Sequence, residues 1–118
     1  MAVDTGLIAW VEEALAPLGP VTSRAMMGGA TLYCGGTVFA IVAGDALWFK
    51  ADAVSDATWD AAGAKRFTYP RGDGVGTMNY RRAPDGVYDD ADDLRRWAIL
   101  ALEAGGRAPA RKPRRRPS

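Results

Sequence analysis

Histidine is absent from this sequence, and cysteine occurs once, as Cys34. That removes Ser-His-Asp and Cys-His nucleophilic arrangements and every zinc site built with histidine. One thiol makes neither a structural zinc site nor an internal disulfide. Reactivity at Cys34 would require a lowered pKa; at the end of a β-favouring run it reads as a small apolar packing residue.

Five other groupings could carry chemistry. Arg71–Thr77 reads RGDGVGT, but it lacks the lysine and hydroxyl ending of a phosphate-binding loop and follows no βαβ unit. The same holds for Met26-Met27-Gly28-Gly29, which precedes a strand. Their glycines read as turn and close-packing residues. If the chain has a small-ligand or enzymatic site, Arg71, Asp73 and Arg81 are the side chains that could converge on it. The acids Asp89, Asp90, Asp92 and Asp93 lack the glycine and terminal glutamate of a calcium loop. At a helix start they cap free N–H groups and complement the helix dipole. No metal or other cofactor is expected.

Trp10, Trp48, Trp59 and Trp97 read as core and rim residues. An RNA-binding sheet would need exposed aromatics with basic neighbours on adjacent strands, and here the strand aromatics sit in apolar company. The last grouping is Arg107, Arg111, Lys112, Arg114, Arg115 and Arg116, broken by Pro109, Pro113 and Pro117. It reads as a disordered polycation able to hold DNA or RNA phosphates without base selectivity. The formal charge of +1 hides this asymmetry: nine basic residues face all fourteen acidic ones in the rest of the chain.

The elements that must position these residues are legible. Asp4 or Thr5 can cap a helix to about Ala16, with Leu7, Ile8, Val11, Ala14, Leu15 and Leu18 at helical spacing. Gly19-Pro20 stops it, and Val21 to Met26 can form a short edge strand. Thr31–Tyr33, Thr37–Val42 and Leu47–Lys50 are β-favouring runs separated by Gly35-Gly36 and Gly44-Asp45, which predicts a β-meander. Val38–Val42 is apolar on both faces, as expected of a central strand. Asp52–Ala62 predicts a second helix ended by Gly63. Arg66–Tyr69 predicts a strand closed by Pro70, residues 71–77 a mobile loop, and Met78–Arg82 a last strand. Leu94, Trp97, Ala98, Ala101 and Leu102 predict a final helix ended by Gly105-Gly106. Ile99 and Leu100 fall outside its main stripe, which suggests self-association.

These elements predict an α+β, two-layer domain over residues 1–106: an antiparallel sheet of five to six strands, helices at both ends and one inserted. Residues 107–118 form the disordered basic tail. No apolar run reaches the ~20 residues of a membrane helix, and the acidic N-terminus does not resemble a signal peptide. A cytoplasmic protein is expected.

Arg24-Ala25-Met26-Met27-Gly28-Gly29, Leu32-Tyr33, Gly36, Val38-Phe39-Ala40 and Leu47-Trp48-Phe49-Lys50-Ala51-Asp52 resemble the N-terminal domain of TfoX (Sxy), the bacterial competence regulator. Phe67-Thr68-Tyr69, Met78-Asn79-Tyr80 with Pro84, and Asp92-Asp93-Leu94 with Trp97-Ala98 continue the resemblance, in order, over Leu7 to Ala104. Met27 stands where the family usually has phenylalanine, and the basic tail stands where full-length regulators carry a second helical domain. The resemblance implies a secretion-chaperone-like α+β sheet, often dimeric, and regulation through protein contacts; it carries over no catalytic residue. The expected function is a non-enzymatic interaction module, a homodimer with a further protein partner. The alternatives are nucleic-acid binding through the tail and a ligand site near residues 71–77.

Overall fold

The computed structural model describes residues 5–26 and 29–108. Helix α1 (Thr5–Leu15) ends in a 3-10 turn, Ala16–Leu18, and leads into strands β1 (Val21–Met26), β2 (Gly29–Cys34), β3 (Thr37–Ala43) and β4 (Ala46–Lys50). Helix α2 (Asp56–Ala61) follows, then strands β5 (Arg66–Arg71) and β6 (Gly74–Arg82), and finally helix α3 (Ala91–Arg107). The six strands form one antiparallel sheet in the order β1-β2-β3-β4-β6-β5. The chain thus runs through a four-strand meander, crosses α2, and returns as a hairpin whose second strand pairs with β4. The predicted α+β domain, its meander and its weak edge strand β1 are all present.

One face of the sheet builds the core. Leu32, Ala40, Val42, Leu47 and Phe49 point to it and pack with Leu7, Val11 and Leu15 of α1 and Leu94, Ala98 and Ala101 of α3. Burying each large aliphatic side chain contributes about 2 kcal/mol relative to exposure. The register step between Leu32 and Tyr33 leaves Phe39 as an extra residue in β3, and both Phe39 and Ala40 are fully buried in this core. Such a bulge turns two consecutive side chains inward. Trp59 of α2 lies between Phe49 and Trp97, with ring centroids 5.6 and 4.8 Å away, and so joins α2 to both sheet and α3. Two polar contacts lock the helical layer: Trp10 donates to the Val87 carbonyl (2.9 Å) and Arg95 to the Ala14 carbonyl (2.9 Å).

Four predicted boundaries move. The 71–77 segment is no loop: β5 continues through Pro70 to Arg71, the turn is Gly72-Asp73, and β6 begins at Gly74. Proline is tolerated because β5 is an edge strand, where one ladder position can lack an N–H. Gly72 has φ 56° and supplies the left-handed residue of the tight turn.

Helix α3 does not stop at Gly105-Gly106. A Cβ on Gly105 would lie 2.3 Å from the Val38 carbonyl oxygen, so this glycine lets α3 cross directly over β3. Arg107 consequently ends α3 rather than opening the tail. Helix α2 begins at Asp56 rather than Asp52, because Asp52 and Ser55 exchange hydrogen bonds in a preceding turn: the Ser55 amide donates to Asp52 Oδ1 and the Asp52 amide to Ser55 Oγ.

Candidate binding face

Side chains alternate across a strand, so each strand that feeds the core also feeds the opposite face. The helices lie against the core face, and none of Tyr33, Val38, Ile41, Trp48, Phe67, Tyr69, Met78 and Tyr80 belongs to the core cluster. They line the opposite, uncovered face, over which no helix among the described residues packs. Ile41 is 1 % exposed there, sheltered between neighbouring strands, while Tyr33, Trp48, Phe67 and Tyr69 are half-buried and Met78 is exposed.

The register makes a checkerboard of this surface. Trp48 pairs with Arg82 and Lys50 with Tyr80 across β4 and β6. The Arg82 guanidinium carbon lies 5.6 Å from the Trp48 ring centroid, and the Lys50 ammonium 5.3 Å from that of Tyr80. Each contact places a cation on the electron-rich face of an aromatic ring. The aromatic row continues from Trp48 to Phe67, edge-on at 4.9 Å, and from Phe67 to Tyr69 at 6.5 Å. The Tyr69 ring lies over Gly76, where a Cβ would stand 2.5 Å from it. Burial pushes the Tyr80 phenol above its ordinary pKa, and Tyr33 adds in the same direction. At the other end of the face, Arg24 and Tyr33 border a cleft of about 380 Å³.

Charge is sorted in the same way. The six strands contain Arg24, Lys50, Arg66, Arg71, Arg81 and Arg82 and no acidic residue. The acids of the described residues lie in helices, turns and connections.

The predicted ligand residues Arg71, Asp73 and Arg81 do not converge. Arg71 and Asp73 stand at the exposed tip of the β5–β6 hairpin. Arg81 lies seven positions along β6 from Gly74, about 23 Å at strand rise, and faces the core side. It is 3 % exposed and clamps α2: its guanidinium meets Asp56 at 3.2 Å and Asp60 at 2.8 Å and donates to the Ala64 carbonyl at 2.9 Å.

Arg107 is also engaged, binding both carboxylate oxygens of Asp52 at 2.8 and 3.0 Å. That contact, helped by Ser55, holds the Asp52 carboxyl well below the usual carboxylate range against a smaller opposing effect of desolvation. Arg111, Lys112, Arg114, Arg115 and Arg116 lie outside the described residues. Asp90 caps α3, accepting from the Asp92 and Asp93 amides, while Asp92 and Asp93 pair with Arg95 and Arg96. Cys34 is buried, which raises its thiol pKa, and its Sγ contacts the Gly19 carbonyl oxygen at 3.7 Å.

Reading the strand aromatics as residues in apolar company missed this face. The signal was present as alternation: Trp48 with Lys50, Tyr80 with Arg82, and Phe67, Tyr69 and Arg71 all recur two residues apart, and a period of two places them together.

The model of the TfoX N-terminal domain family matches residues 13–105. The chain belongs to the TfoX N-terminal domain family. The TfoX match takes in the end of α1, all six strands, α2 and α3 as far as Gly105, so the whole uncovered face lies inside it. No curated protein matches the chain.

Proposed function

We propose that this TfoX N-terminal domain is a non-enzymatic regulatory module of the bacterial cytoplasm that acts by protein contact, as a homodimer formed through the outer side of α3. The observation that carries the reading is the stripe Arg96, Ile99, Leu100, Glu103, whose spacing of three, four and seven residues puts all four on one side of the helix. They border, with Thr58 and Trp97, a mainly apolar groove of about 320 Å³, and Ile99 is 45 % exposed. The stripe is self-complementary. A two-fold axis through Ile99 and Leu100 sets the helices antiparallel, the apolar residues against each other and Arg96 opposite the partner copy's glutamate. Family membership supports the regulatory part of the reading.

Light scattering across micromolar concentrations tests it. A dimer is expected, and Ile99→Asp should dissociate it. Arg96→Glu and Glu103→Arg should each weaken it, and the double exchange should restore it. A monomeric wild-type chain, or a dimer indifferent to all four variants, would contradict the proposal.

A further inference from the structure

The α3 stripe leaves the uncovered sheet face without a role, and two copies could not share it readily. Apposing two such faces would bring Arg24, Lys50, Arg71 and Arg82 against the same cations with no acid on any strand to separate them. The occupant must therefore bring negative charge together with flat apolar groups. The geometry points to single-stranded nucleic acid, with bases stacked on Trp48, Phe67 and Tyr69 and the phosphates held by Lys50, Arg82 and Arg24.

Three features favour this occupant. Half-buried aromatic rings fixed by neighbouring strands provide stacking platforms that tolerate any base. Trp48 and Phe67 meet edge-on at 4.9 Å, so their faces point in different directions, and Phe67 and Tyr69 are near-parallel at 29°. Cations alternate with the rings in the β4–β6 pairs, Trp48 with Arg82 and Lys50 with Tyr80, which sets phosphate contacts beside a base stacked on Trp48. Among the described residues the acidic ones are confined to helices, turns and connections, so a polyanion is steered toward the sheet and away from the helices. A duplex fits poorly, because its bases are already stacked on one another. An acidic peptide would satisfy the cations but leave the aromatic row without flat partners.

The test is fluorescence anisotropy of a labelled mixed-sequence single strand of about twelve nucleotides titrated with the full chain, with tryptophan fluorescence read in parallel. Binding should fall as salt is raised and should quench Trp48. Trp48→Leu, and separately Lys50→Ser with Arg82→Ser, should each weaken binding about tenfold or more. The latter pair alters only solvent-reaching cations, so circular dichroism and melting should confirm an intact fold. Replacing Arg111, Lys112, Arg114, Arg115 and Arg116 together by serine should leave the sensitivity to Trp48 in place, and a duplex of the same sequence should bind more weakly. The proposal is overturned by an absence of single-strand binding or by binding indifferent to both sheet variants. It is equally overturned by a duplex that binds as well, or by poly-glutamate that displaces the strand and quenches Trp48 equally.

Discussion

The two faces of this sheet are made from the same strands, residue by alternate residue, yet they follow different chemical rules. Toward the helices stand Leu32, Val42, Leu47 and Phe49, fully buried, with one buried arginine, Arg81, admitted because Asp56, Asp60 and the Ala64 carbonyl receive it. Toward the uncovered side stand Tyr33, Trp48, Phe67, Tyr69 and Tyr80 with Lys50 and Arg82, whose cations meet rings instead of carboxylates. Buried charge needs partners, whereas a half-exposed cation keeps its water and can still hold a ligand. One face is therefore organised for cohesion and the other for contact.

Substitutions that separate the faces should rank accordingly. Trp59→Ala removes the ring that joins α2, Phe49 and Trp97 and should cost about 4 kcal/mol in urea unfolding. The neighbours Arg81 and Arg82 give the sharpest contrast. Arg81→Leu takes the cation from Asp60 and leaves Asp56 only Arg66, at 3.7 Å, and should cost about 2 kcal/mol through the lost charge-assisted hydrogen bonds. Arg82→Leu, on the open face, should stay within about 0.5 kcal/mol.

A second neighbouring pair sits at the end of α3. Gly105→Ala should destabilise by about 2 kcal/mol, because the new methyl meets the Val38 carbonyl at 2.3 Å. At Gly106 the same position is open, so Gly106→Ala should stabilise by up to about 1 kcal/mol through helix propensity. Thermal melts of the two variants should move in opposite directions.

The smallest effect is electrostatic. Arg107 lowers the Asp52 pKa in the folded chain. Its contribution is therefore complete above the unfolded carboxylate value near ~4 and is lost as pH falls through the lower folded value. Asp52→Asn keeps an acceptor for the Ser55 amide but removes the charge. The stability difference from wild type should be constant near neutrality and shrink in acid.

Much of the fold was legible because its signals are local. Gly35-Gly36 marks a turn between two β-favouring runs, and Leu94, Trp97, Ala98 and Ala101 repeat at helical spacing. What escaped depends on distant neighbours. Nothing local distinguishes Gly105, held against β3, from a glycine that ends a helix. Pro70 is acceptable only because β5 became an edge. Arg81 looked available as a ligand residue because its acids lie more than twenty positions earlier, on α2. The open face was recoverable in part: alternation puts Trp48 with Lys50 and Tyr80 with Arg82. Sequence could not say which alternate set the helices would leave uncovered.

The most direct test of the division between the faces is amide chemical-shift mapping of the isotope-labelled full chain titrated with a short single-stranded oligonucleotide. Shifts concentrated at Trp48–Lys50, Phe67–Tyr69 and Tyr80–Arg82, with α1 and α3 unmoved, are the predicted result. Shifts confined to residues 107–118, or spread over the helices, would contradict it.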